Sequence, residues 1–163
     1  MSQADELLAN NVEYAAAFPA GHLDVAPSRR LAVITCMDSR LDVFGLLGLE
    51  LGEAHVIRNA GGIVSDDVIR SLAISQRLLG TTEIIVIQHT DCGMLKVTDD
   101  GFRATLLKAS GVAPTFAIES FTDLDGNVRQ SLERLRKSPF LIAPDAVRGF
   151  VCDVDLGVLR EVD

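Results

Sequence analysis

An α/β fold on a mainly parallel central sheet is what this sequence predicts, and three features predict it. Short β-rich runs, Leu31–Cys36, Ala54–Arg58 and Glu83–Gln88, alternate with segments of helical spacing. The clearest of these runs are apolar nearly throughout, as strands covered on both faces are. The stretches between the runs allow right-handed crossovers, which put helices on the two faces of the sheet. Length agrees with this reading: 163 residues, 48% hydrophobic and 23% charged, suit one domain (1–163) with a single core.

The elements follow in order. Asp5–Phe18 places Leu7, Leu8, Val12, Ala15 and Ala16 at helical spacing. Pro19, Gly21 and Pro27 then mark a loop, so residues 1–27 read as a helix and arm ahead of the first strand. Leu31–Cys36 is that strand, and Leu41–Leu47 is a short helix with Asp38 or Ser39 as its N-cap. Ala54–Arg58 is the second strand, followed by the turn Asn59-Ala60-Gly61-Gly62. Ser65–Leu79 repeats apolar residues at Val68, Ile69, Leu72, Ala73 and Leu79, and Gly80 closes it. Glu83–Gln88 is the third strand, with helical segments after it at Phe102–Ala109 and Asn127–Lys137. Arg148–Val154 and Val158–Val162 make a C-terminal antiparallel pair around Asp155-Leu156-Gly157.

Composition narrows the function. The formal charge is −8 and the pI about 4.8, which disfavours a nucleic-acid partner. No apolar run is long enough to span a membrane, and the first ten residues lack a basic n-region. Three cysteines make a poor disulfide framework and suit a reducing compartment, so the expected location is cytoplasmic. Neither GxxxxGK[ST] nor GxGxxG occurs, so a nucleotide cofactor has no support.

In open parallel sheets ligands bind beyond the carboxyl ends of the strands. The first strand ends in Cys36-Met37-Asp38-Ser39-Arg40, and the third in His89-Thr90-Asp91-Cys92-Gly93. Two thiols and an imidazole suit Zn²⁺ with one position left open. Singly, each has a blander reading: a cysteine ending an apolar strand is usually a small core residue, and His-x-x-Cys alone is a weak match. Together, at the two strand ends where the fold rule expects a site, they point to a metal centre of Cys36, His89 and Cys92. Asp38 lies two residues beyond Cys36 and Arg40 two beyond that, the same parity of an extended segment. Asp38 can therefore reach the open position while Arg40 holds it by a bidentate pair. The plain alternative is a surface pair capping the next helix.

These motifs, with Val56–Gly62 (VIRNAGG) between them, resemble the β-class carbonic anhydrases. The match in order and spacing runs from about Leu31 to Gly93, and the wording is similar to the compact bacterial branch. The resemblance implies reversible hydration of CO₂ to bicarbonate by zinc-bound hydroxide, with zinc on Cys36, His89 and Cys92. It implies a dyad in which Asp38 accepts a hydrogen bond and Arg40 orients it, or a closed state in which Asp38 becomes a fourth ligand. It implies a substrate oxygen facing the backbone N–H of Gly93. It implies a homodimer, or a tetramer of paired dimers, with the N-terminal helix on the partner. Two departures stand out: Met94 follows Gly93 where many members have a second glycine, and the chain has no tryptophan for an allosteric bicarbonate site. Two thiolates also leave the metal less positive than three imidazoles, for which the bound-water pKa of about 7 is the reference in a different carbonic anhydrase. Activity should rise toward alkaline pH.

The other candidates carry less. Arg58 and Asn59 read as pins for the Gly61-Gly62 turn, and Ile63 and Val64 as core or apolar wall. Cys152 has no partner motif and reads as inert; His22 is a loop residue that suits a proton relay only weakly, and His55 has no ligand spacing. Two other functions stay open: hydrolysis of carbonyl sulfide or carbon disulfide at the same site, and a closed zinc scaffold without catalysis.

Overall fold

The structure, a computed structural model, describes residues 2–18, 21, 23–142 and 147–163. Its elements are α1 (Gln3–Ala17), β1 (Leu31–Cys36), α2 (Val43–Leu47), β2 (Ala54–Asn59), α3 (Asp66–Leu79), β3 (Glu83–His89), α4 (Asp99–Ser110), α5 (Leu124–Lys137), β4 (Val147–Asp153) and β5 (Val158–Val162). The five strands form one sheet in the order β2-β1-β3-β4-β5, parallel except for the antiparallel β4–β5 pair. This is the fold class the sequence predicts.

Strand alternation explains the unbroken apolar runs. Ala32 and Ile34 of β1 and Ile84 and Val86 of β3 face one core cluster; Leu31 and Val33 of β1 and Ile85 and Ile87 of β3 face the other. The helices are not shared evenly between the faces. Val68 and Leu72 of α3 and Val128, Leu132 and Leu135 of α5 fill the first cluster together, while short α2 and loop residues cover the second. The strand order gives the reason. β1 to β2 steps one way across the sheet, whereas β2 to β3 and β3 to β4 step the other way. Right-handed crossovers in opposite directions put their helices on opposite faces. Each of the five α3 and α5 side chains adds roughly 1.5–3 kcal/mol by leaving water.

Local signals set the ends. Ser65 caps α3 by accepting from the Val68 N–H, and Gly80 ends it at φ 73°, where any other residue is strained. The N-cap of α2 is Asp42, not Asp38 or Ser39: its side chain accepts from the Gly45 N–H, and the Asp38 carboxylate is occupied by Arg40. α1 has no buried residue, and neither has α4. No helix among the described residues is long and apolar enough to cross a membrane.

The step reversal also makes a crevice. Connections leave the carboxyl ends of β1 and β3 toward opposite faces, and those two strands lie side by side. Cys36 ends β1 and His89 ends β3.

Candidate metal centre

Cys36, His89 and Cys92 come together at that crevice. All three are buried, and one ligand atom from each lies within 4.8 Å of the others. Cys92 reaches back because the chain turns sharply after His89. Asp91 sits in the left-handed region (φ 52°), and a 3₁₀ turn, Gly93–Leu95, follows. On the opposite side, the turn Ala60–Gly62 presses against both strands. A Cβ on Gly62 (φ 61°) would stand 2.7 Å from the Cys36 nitrogen and 3.1 Å from the Ile87 carbonyl oxygen, so only glycine fits.

The His89 ring is oriented for ligation. Its Nδ1 lies 2.8 Å from the Thr90 carbonyl oxygen, which only an N–H can donate to, so in the neutral ring Nε2 carries the lone pair. Nε2 is buried and has no hydrogen-bond partner among the described residues. A buried acceptor left unpaired costs free energy unless something fills its place.

The two thiols differ in acidity. The hydrogen bond from the Cys92 thiol, against opposing burial, lowers Cys36 to about 4, and the Cys92 thiol is pushed up by the same bond and by burial. Burial opposes charge on His89, but the Cys36 sulfur, the Thr90 carbonyl and Asp38 outweigh it and raise its pKa. A buried thiolate beside a second thiol and an imidazole with a free lone pair is a donor set that fits Zn²⁺.

Asp38 stands at the edge of the cluster, its Oδ2 3.8 Å from His89 Nε2. Arg40 grips it with Nε to Oδ1 (3.0 Å), Nη2 to Oδ2 (2.8 Å) and its backbone N–H to Oδ1 (2.9 Å). These bonds hold the Asp38 carboxyl well below the usual carboxylate range. Arg58 does not pin the glycine turn. It donates to the Cys36 carbonyl (2.9 Å) and the Asp38 carbonyl (2.6 Å), holding the loop between them. Asn59 pins the turn alone, exchanging two hydrogen bonds with Ile63.

Gly93 opens the turn after Cys92 with open space where a side chain would be. Met94 projects into an apolar hollow of about 350 Å³ that Ile63, Val97, Phe102 and Phe116 also line, while Val64 is core. Cys152 is buried on β4, directly opposite His89 in the register, yet outside the cluster. His55 bonds Ser75 (2.7 Å) and lies outside it too; His22 lies outside the described residues. Sequence reasoning passed over Asp91, which bonds Arg40 through Nη1 (3.0 Å) and is itself held by Lys96. The available signal was an acid placed between two ligands, with an arginine nearby that needed a second partner.

A family model described as carbonic anhydrase matches residues 31–151. The chain is 55% identical to Beta-carbonic anhydrase 1 of Mycobacterium tuberculosis over 162 residues, 99% of either chain. Its fold is similar to the crystal structure of a carbonic anhydrase from Streptococcus mutans, with TM-score 0.94 and 43% identity, covering 100% of this chain and 99% of that one. It is also 35% identical to a carbon disulfide hydrolase of an Acidianus species over 158 residues, 82% of this chain and 78% of that one.

Proposed function

The chain belongs to the β-class carbonic anhydrase family, and on that premise we propose that it hydrates CO₂ reversibly to bicarbonate and a proton at zinc held by Cys36, His89 and Cys92. The observation that carries the ligand set is the unpaired Nε2 of buried His89, within 4.8 Å of the sulfurs of buried Cys36 and Cys92, with no partner for it among the described residues. Bound there, zinc supplies a Lewis acid that acidifies water, less strongly with two thiolate donors than with three imidazoles.

The chain's own residues do the rest. Asp38, kept ionised by Arg40, is an acceptor only, and its place beside His89 suits it to orient a proton at the open position. Arg40 fixes that carboxylate and would keep it from a bound metal, which a permanently closed scaffold would not require. Gly93 has open space where a side chain would stand, and we assign its backbone N–H to a substrate oxygen.

α1 exposes Leu7, Leu8, Val12 and Tyr14, apolar side chains that the described residues leave uncovered. We assign them, with the arm to residue 27, to a homodimer contact, which sedimentation at varied concentration tests. Three cysteines without disulfides suit the cytoplasm.

Stopped-flow CO₂ hydration on zinc-loaded protein tests the reading. Activity that vanishes in Cys36→Ser supports it, and a zinc-replete protein inactive on CO₂ overturns it. Carbon disulfide hydrolysis is the second reading. The greater identity to a carbonic anhydrase than to a carbon disulfide hydrolase favours CO₂, and turnover of both substrates on one preparation separates them.

A further inference from the structure

Resting on the metal-site reading above, we infer that Asp91 is a positioning residue that anchors Arg40, so that Arg40 can hold Asp38 away from the metal. The guanidinium is gripped on two sides. Nε and Nη2 face the Asp38 carboxylate, while Nη1 donates to Asp91 Oδ2 (3.0 Å) and Nη2 to the Asp91 carbonyl oxygen (3.2 Å). Lys96 holds the remaining carboxylate oxygen, Oδ1, from the far side. A planar fork with one edge on Asp38 and the other on Asp91 has little freedom to rotate.

The backbone is shaped for this contact. Asp91 lies in the left-handed region (φ 52°), which turns both its carbonyl and its side chain toward Arg40. The same turn brings Cys92 back to the cluster, so one bend places a ligand and anchors the arginine. An isolated exposed ion pair is worth little. Here the value is geometric: without Asp91, Arg40 grips Asp38 from a mobile stem, and Asp38 swings to the metal's open position more often.

The experiment compares Asp91→Gly, which keeps the left-handed turn and removes the carboxylate, with Asp91→Asn, which keeps an acceptor and tolerates that turn. Two measurements are made on protein of equal zinc content: kcat and KM for CO₂ hydration, and thiocyanate affinity of the cobalt-substituted protein, read from its visible spectrum. The expected result in Asp91→Gly is a kcat lower by about tenfold to a hundredfold with KM little changed. Thiocyanate should bind at least about tenfold more weakly, because Asp38 competes for the same position. Asp91→Asn should restore most of both. In an Arg40→Lys background, which loses the fork, Asp91→Gly should add little.

Unchanged kcat and thiocyanate affinity in Asp91→Gly would overturn the inference. So would Asp91→Asn as impaired as Asp91→Gly, or an equal Asp91→Gly effect in the Arg40→Lys background. Wild-type protein that binds zinc but does not hydrate CO₂ would instead overturn the proposed activity, and the thiocyanate arm would still judge the anchor.

Discussion

Two parallel strands flank β3, and each carries a buried cysteine near its carboxyl end, but only β1 delivers its cysteine to the ligand cluster. By residue type and burial Cys36 and Cys152 are alike, and Cys152 is the one paired in register with His89. Their chemistry differs. The Cys36 thiol is lowered by its hydrogen bond with Cys92, whereas burial, with the Asp153 charge beside it, pushes Cys152 up. Connections diverge to opposite faces between β1 and β3 and open a crevice there; β4 turns straight back into β5, so no such divergence occurs beside Cys152. What the comparison teaches is that topology, more than residue type or burial, selects the ligands here.

The strongest test of that contrast is Cys36→Ser. Zinc retention against a chelator should fall by more than about a hundredfold, beyond the loss usual for an outer-sphere residue, and CO₂ hydration should fall to background. Retention equal to wild type would erase the distinction between the two cysteines. Asp38→Ala should keep its zinc and lose about 10²–10⁴ in kcat, the scale of a positioned acid–base group, by stopped flow at matched metal content.

The pH profile sharpens the comparison further. Arg40 holds Asp38 below the usual carboxylate range, so the dyad is already ionised at neutral pH and does not change on going alkaline. A rise in activity between about pH 7 and 9 therefore belongs to the low positive charge of a two-thiolate centre. A flat profile there would contradict that donor set. The sign on the acid side is opposite. A carboxyl with a lowered folded pKa adds stability above its unfolded value, and that stability is lost as pH falls through the folded one. Thermal melts of Asp38→Asn and wild type should therefore converge in acid.

Cys152→Ala is the smallest effect. It should leave zinc content and kcat within about twofold and cost about 1 kcal/mol, near 2–4 °C in Tm for a chain of this size. A large loss of zinc in this variant would show that the neighbouring strand supports the centre after all.

Much of the fold was legible in the sequence because the signals were local. Unbroken apolar runs marked the inner strands, and Ser65 and Gly80 bounded α3 nearly to the residue. The short α2 was placed with the wrong cap, since Asp38 and Asp42 look equivalent until Arg40 claims one of them. The uneven division of helices between the faces was also out of reach, because it depends on strand order. For the site, ligand types at two strand ends sufficed to nominate Cys36, His89 and Cys92, but Asp91 and the true partners of Arg58 did not emerge.

By itself the sequence determined the period of each element, the punctuation between them, and which residues bring thiol, imidazole, carboxylate and guanidinium to the strand ends. Only the tertiary structure decided that Nε2 of His89 has no partner among the described residues, that Arg40 is shared between Asp38 and Asp91, and that Cys152 lies outside the cluster. The physical reason is range. Propensity and capping act over a few residues, whereas Arg40 and Asp91 bond across 51 positions of sequence, and only the order and crossover hand of the strands bring them together.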